Sequence, residues 1–199
     1  SEMCIRDRIK GDVWISENSL SLEGSLLYNS SIFISDKFLF NSDLITSDQA
    51  SVIFNHYSYD SSFLKSNDVS LVLNVNDKKI SLMAEYLDEE NYYLPYYKTY
   101  TSVENVDWDI INEDLFFYNK NTLDIAPSFF PQEDLFSNWS VTSNSANIDL
   151  KTKQLKLNDV DELQISDAFI LPRNGEVEIG ENFSISKLYD SEIILDTIN

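Results

Sequence analysis

Apolar and polar residues alternate one by one along most of the chain, the period of an extended strand with one buried face. Leu71, Leu73 and Val75 alternate with Ser70, Val72 and Asn74, then Asn76-Asp77-Lys78-Lys79 intervenes, and Ile80 and Leu82 resume the alternation. This predicts a hairpin with a four-residue loop and a buried face made by Leu71, Leu73, Val75, Ile80 and Leu82. Ile148-Asp149-Leu150, Lys151-Thr152-Lys153-Gln154 and Leu155-Lys156-Leu157 have the same form. A third hairpin is predicted from Phe169-Ile170-Leu171 through Asn174-Gly175 to Val177-Glu178-Ile179. Further strands are expected at 13–15, 20–22, 31–34, 51–54, 99–106, 115–118 and 192–198.

No segment keeps apolar residues at the i, i+3, i+4 and i+7 positions of a helix for three turns, and residues 43–50 are the best place for a short helix. Glycine is scarce, with 4 in 199 residues, so asparagine, aspartate and serine are expected to make most turns. The expected fold is therefore all-β with antiparallel sheets, and the lack of helices argues against a βαβ architecture. Two arrangements fit: an elongated, solenoid-like stack, or one to two β-sandwiches. Hairpins favour antiparallel pairing. Leu163-Gln164-Ile165-Ser166 and Phe183-Ser184-Ile185-Ser186 echo each other at a spacing that would suit one coil of a solenoid. In a chain rich in serine and isoleucine, chance recurrence is the better account of that echo.

Residues 88–95 and 126–138 interrupt the alternation. The second interruption holds Pro127, Pro131 and the Phe129-Phe130 pair. The expected organisation is a non-native leader over 1–10, an N-terminal β region over 11–126, a crossing loop over 127–138 and a C-terminal β region over 139–199. The two β regions could equally form one continuous domain.

Composition refines the picture mainly by exclusion. A hydrophobic content of 43% supports a core rather than disorder. The net charge of -20, from 14 basic and 34 acidic residues, is scattered rather than gathered in a tail. It argues against nucleic acid as a partner, because binding a polyphosphate requires basic patches, and against an anionic membrane surface. No apolar run approaches the ~18–20 residues of a membrane-spanning helix, so no transmembrane segment is expected. Ser1-Glu2-Met3-Cys4-Ile5-Arg6-Asp7-Arg8 resembles a translated sequencing adapter and is expected to lie outside the fold. With Cys4, the sole cysteine, set aside, neither disulfide nor thiolate chemistry is expected.

Candidate chemistry is thin. His56 is the one histidine. A serine triad would need it as base, but a structural or exposed histidine is the expectation. No Gly-x-Ser-x-Gly elbow and no phosphate-cradling glycine loop occur. Zinc would need several His or Cys ligands. For calcium, only Asp159-Val160-Asp161-Glu162 and Asp88-Glu89-Glu90 are dense in oxygen ligands, and neither has EF-hand spacing. No catalytic residue, metal or cofactor is assigned. Paired carboxylates could hydrolyse glycosides, but with 34 acids the sequence singles out no pair. The aromatic cluster of Tyr92, Tyr93, Tyr96, Tyr97, Tyr100 and Trp108 is the most unusual local feature. Tyrosines can present a platform to sugar rings, or pack a loop over a sheet end. Packing is the expectation.

Two stretches carry a family resemblance. Leu94-Pro95-Tyr96-Tyr97-Lys98-Thr99-Tyr100-Thr101-Ser102-Val103, leading to Val106-Asp107-Trp108-Asp109, is the first. Asp167-Ala168-Phe169-Ile170-Leu171-Pro172-Arg173-Asn174-Gly175-Glu176-Val177, with Ile193-Ile194-Leu195-Asp196-Thr197-Ile198-Asn199, is the second. Together they resemble a group of very large, uncharacterised, β-rich, exported proteins of the Bacteroidota. The resemblance implies an internal, metagenomic fragment of a longer cell-envelope polypeptide, located outside the cytoplasm. The remainder of that polypeptide, other envelope proteins or glycans would be its partners. The function expected is structural or interactive and non-catalytic; the alternative is a carbohydrate-binding or adhesive module using the tyrosine cluster.

Overall fold

The structure, a computed structural model, describes residues 7–17, 19–84, 90–120, 128–132, 140–165, 168–186, 188 and 190–195. Strands take up 64% of it and helix 2%, so the fold is all-β. The first five strands are β1 (Arg8–Ile15), β2 (Leu20–Tyr28), β3 (Ser31–Asn41), β4 (Leu44–Phe54) and β5 (Leu64–Asn74). They form an antiparallel meander.

These long strands bend. The buried positions run Ser31, Phe33, Ser35 and then Phe38 in β3, and Ser47 and then Ala50, Val52 and Phe54 in β4. In β5 they run Leu64, Ser66 and then Val69, Leu71 and Leu73. Each strand has one extra residue midway, a bulge that bends it while keeping the apolar face inside. Polar side chains fill the crease where the ladder is interrupted. The Ser35 and Ser47 hydroxyls lie 2.8 Å apart, each 2.8 Å from the Gln49 carbonyl oxygen. The Ser66 hydroxyl donates to the Asn91 carbonyl at 2.6 Å. On the same line Gly24 faces Gly11. A Cβ on Gly24, at φ +148, would sit 2.3 Å from the Lys10 carbonyl oxygen, so only glycine allows this approach. Residues 44–50 are thus part of β4, with Asp43 in the turn before it, rather than a helix. The Ser47-to-Ala50 step that imitates a helical repeat is the bulge.

The shorter strands follow as β6 (Lys79–Ala84), β7 (Tyr92–Leu94), β8 (Thr99–Thr101), β9 (Asn105–Asp109), β10 (Asp114–Tyr118), β11 (Ser128–Pro131) and β12 (Ser140–Thr142). Then come β13 (Ser145–Asp149), β14 (Gln154–Asn158), β15 (Leu163–Ile165), β16 (Ala168–Leu171), β17 (Val177–Gly180), β18 (Ser184–Ile185) and β19 (Glu192–Leu195). At β5 the sheet divides. Its C-terminal half pairs with β6, and its start pairs at Lys65 with β7. Beyond that point the chain adds strands alternately to two layers. The first layer continues β6-β9-β10-β13-β14-β17-β18. The second continues β7-β8-β11-β12-β15-β16-β19. All these pairs are antiparallel, and the sheet does not close. The layers pack face to face, with the rings of Phe117 on β10 and Phe129 on β11 centred 6.2 Å apart. One core cluster includes both Leu22 and Phe183. The features of a sandwich and of a stack are therefore combined.

Three of the first-layer hairpins, β5–β6, β9–β10 and β13–β14, share a turn. Asn74, Asp109 and Asp149 each end a strand and accept the backbone N–H three residues ahead, at 2.9, 3.0 and 3.1 Å. Lys78, Glu113 and Lys153 close the loops with φ of 52, 63 and 57°. Asx side chains favour such self-bonded turns. The 71–82, 106–117 and 146–157 segments are three versions of one pattern, and this is the chain's structural repeat. The Leu163 and Phe183 echo is not, because Leu163 lies in the second layer and Phe183 in a 3-10 turn (Glu181–Phe183) leading to the first.

Five expectations need correction. Val75 is 39% exposed because it belongs to the loop rather than to the hairpin face. The third hairpin does not form: β16 pairs with β15 and β19, and β17 with β14 and β18. Residues 172–176 instead carry the chain from one layer to the other. Residues 99–106 are split between β8 and β9, in different layers. The 127–138 crossing loop contains β11, paired with both β8 and β12; residues 127 and 133–138 lie outside the described residues. Pairing at the N-terminus begins at Arg8, within the expected leader, and residues 1–6, including Cys4, are outside the described residues. So are residues 196–198 of the last expected strand.

Candidate functional site

The six aromatic residues of the candidate platform do not share a surface. Tyr92, Tyr97 and Trp108 are buried, whereas Tyr93, Tyr96 and Tyr100 are half-buried. Trp108 on β9 packs between the layers, its ring centre 4.8 Å from that of Phe54 and 5.3 Å from that of Phe63. Tyr92 points inward from β7 and donates its hydroxyl to the Glu104 carbonyl at 3.0 Å. The Tyr97 and Tyr59 hydroxyls are hydrogen-bonded at 3.2 Å. Tyr96 stands edge-on to Tyr59 and Tyr97 at 5.2 and 5.1 Å. The Lys153 ammonium caps the group, 5.1 and 5.2 Å from the Tyr59 and Tyr96 ring centres, a cation–π arrangement that ties the 150–153 turn to this end of the core.

Only Tyr93 and Tyr100 occupy the outer face. They are direct cross-strand partners, and Phe130 of β11 extends the row. Ring centres are 4.6 Å apart for Tyr93–Tyr100 and 5.9 Å for Tyr100–Phe130, with interplanar angles of 32 and 23°. The rings stand side by side with their faces turned to one another. A sugar platform needs those faces turned to solvent. The Tyr93 hydroxyl donates to Gln132 Oε1 at 2.9 Å. Phe130 is no candidate from the sequence alone, because the Phe129-Phe130 pair falls in the expected crossing loop. In strand phase, Phe129 points in and Phe130 out.

His56 lies in the 55–63 segment between β4 and β5, and its imidazole is 6% exposed. Its Nδ1 accepts the Ser58 N–H at 3.3 Å, and its Nε2 is 3.4 Å from Glu113 Oε2. The Tyr57 hydroxyl donates to that same oxygen at 3.0 Å, and Lys151 Nζ is 3.9 Å away. Both ring nitrogens are engaged, so the group is arranged as a tie between the 55–63 segment and the 110–113 turn. Burial is the main cause that holds the His56 pKa below the ordinary imidazole value, with Glu113 opposing it. In the window below about 6.5 the unfolded chain therefore binds more protons, and stability falls as pH falls. We expect the melting temperature to drop across mildly acidic pH, and a His56→Gln variant to show a flatter slope there. An unchanged slope in that variant would assign the acid sensitivity elsewhere.

Asp159, Asp161 and Glu162 are exposed, while Asp88 and Glu89 lie outside the described residues. Among the described residues, no group of three or more His, Cys, Asp or Glu is placed to hold a metal ion. A shallow hollow of about 140 Å³ lies beside the 172–176 crossover, lined in part by Asn174, Glu176 and Glu178. Glu176 there is already paired with Lys156 at 2.7 Å and accepts the Asn174 amide at 3.2 Å. Among the described residues no helix is long and apolar enough to cross a membrane. No protein-family model, no curated protein and no solved structure matches the chain.

Proposed function

We propose that this chain is a non-catalytic structural or interaction segment of a larger, extracytoplasmic envelope protein. The observation that carries the reading is a core open at both ends. Ile9 and Val13 of β1 face the same side as their buried partners Leu26 and Leu22, yet are 51% and 49% exposed. Ile193 of β19 continues the inward row of Leu163 and Ile170, yet is 62% exposed. Leu195, on the same side, is 65% exposed. A quasi-one-dimensional stack buries such faces against the next unit and ends in polar caps. Further β structure of the same kind, in the rest of a longer polypeptide or in a second copy, is the natural cover. Location outside the cytoplasm is supported by the sequence resemblance.

The half-buried outer row of Tyr93, Tyr100 and Phe130 favours a second reading, an adhesive or carbohydrate-binding module. A glycan array with the intact chain and a Tyr93→Ala/Tyr100→Ala/Phe130→Ala variant decides between them. The structural reading expects no specific retention of either protein. Specific sugar binding that the variant loses at an unchanged melting temperature would replace it with the adhesive reading.

A further inference from the structure

We infer that the two open ends of the stack are complementary and that a second copy of this chain docks on them head to tail, β1 of one copy against β18 and β19 of the next. The inference rests on the open-ended reading above. The argument begins with strand parity. Strands β1–β5 are shared by the layers and seven more follow in each, so each layer has twelve strands, all antiparallel to their neighbours. With an even count, the last strand of each layer runs opposite to β1. A translated second copy therefore brings its β1 antiparallel to β18 and to β19 at once.

β1 also has the length to serve both layers. Arg8, Ile9 and Lys10 pair with the part of β2 that leads into the second layer, and residues 12–15 with the part that leads into the first. Gly11 lies between them at the crease. In such a joint Ile9 meets the inward row of Ile193 and Leu195 on β19, while Val13, in the half that leads into the first layer, meets the inward Ile185 of β18. On the outer face the cations of Arg8 and Lys10 approach Glu192. The joint repeats the pairing that every later hairpin of this chain makes with the one before it. Among the described residues β1, β18 and β19 each pair with a strand on one side only, and an edge strand is the surface that templates strand addition. A head-to-tail contact that does not close gives linear oligomers. The net charge of -20 repels successive copies, so added salt should promote growth by screening it.

Sedimentation velocity of the intact chain, across protein concentration and salt, tests this with two end-blocked variants. Val13→Lys places a charge on the inner face of β1, and Ile193→Lys does so on β19; both sites are already exposed, and unchanged melting temperatures would show that folding is kept. We expect the natural chain to pass beyond dimers as concentration and salt rise. Each variant alone should stay monomeric, and an equimolar mixture should stop at dimers, since one retains an open β19 end and the other an open β1 end. A natural chain that stays monomeric throughout, or either variant dimerising alone, overturns the inference. Neither result touches the structural reading, which falls to the glycan test.

Discussion

Trp108→Ala should cost about 3–5 kcal/mol of unfolding free energy, the range for removing a large buried aromatic. The ring is 1% exposed and fills the space between Phe54 and Phe63, where the bent meander meets the first of the stacked hairpins. Its loss leaves a cavity that neighbouring strands cannot close, because their backbones are fixed by ladders on both sides. Trp108→Phe makes the comparison informative. The indole Nε1 is buried without a hydrogen-bond partner among the described residues, and an unmet buried donor costs about 1–3 kcal/mol. Phenylalanine keeps most of the ring and removes that donor, so its net cost should be less than half that of alanine. Urea melts of the three proteins check both statements. Equal losses for the two variants would mean that the indole N–H is satisfied and valuable.

Alkaline pH should unfold the protein with a comparably large effect. Burial pushes the Tyr59 pKa up to about 12 from its ordinary 10.0, and burial likewise raises those of Tyr92 and Tyr97. A folded pKa above the unfolded one means that the native state holds its proton after the unfolded chain has released its own. The stabilisation is complete below about pH 10 and is lost as pH climbs toward the folded value. At about 1.4 kcal/mol per pH unit per group, Tyr59 alone accounts for roughly 2 kcal/mol of lost stability by pH 12. Tyr92 and Tyr97 add losses of the same order. The total is comparable to the whole stability of an ordinary domain, about 5–15 kcal/mol. We expect one cooperative transition between about pH 10 and 12, in which tyrosinate absorbance rises as the sheet signal disappears. Tyr59→Phe should move the midpoint upward. Full tyrosinate formation with the sheet spectrum intact would contradict the burial described for these rings.

What could be read from the sequence follows from the range of each signal. Period-two alternation reports which side of a strand is apolar, so the two hairpins and the inward set Leu71, Leu73, Ile80 and Leu82 are legible, although their loops, expected at 76–79 and 151–154, lie one residue earlier at 75–78 and 150–153. A bulge shifts that phase by one residue, and around Ser47 the shift imitates a helical step. Alternation also says nothing about which layer the next strand joins. The Asn174-Gly175 turn has hairpin chemistry, yet β14 and β15 were already in place as edges, and β16 and β17 each extend a different one. The Asx turn at Asn74, Asp109 and Asp149, flanked by inward apolar pairs, was the available mark of the repeat. It was hidden because pairs of second-layer strands, β7–β8 and β11–β12, separate the copies and the apolar residues differ in size, from Ala146 to Trp108. The tyrosine cluster showed the same limit: adjacent positions face opposite sides of a strand, so Tyr92 enters the core while Tyr93 joins Tyr100 and Phe130 outside.

The alternation of hairpins between two layers is the central structural claim, and backbone nuclear Overhauser contacts in the C-terminal strands test it most directly. The structure places Phe169 opposite Ile194, and Lys156 opposite Glu178, so contacts should link β16 to β19 and β14 to β17. Contacts joining residues 169–171 to residues 177–179 across a local hairpin would contradict it.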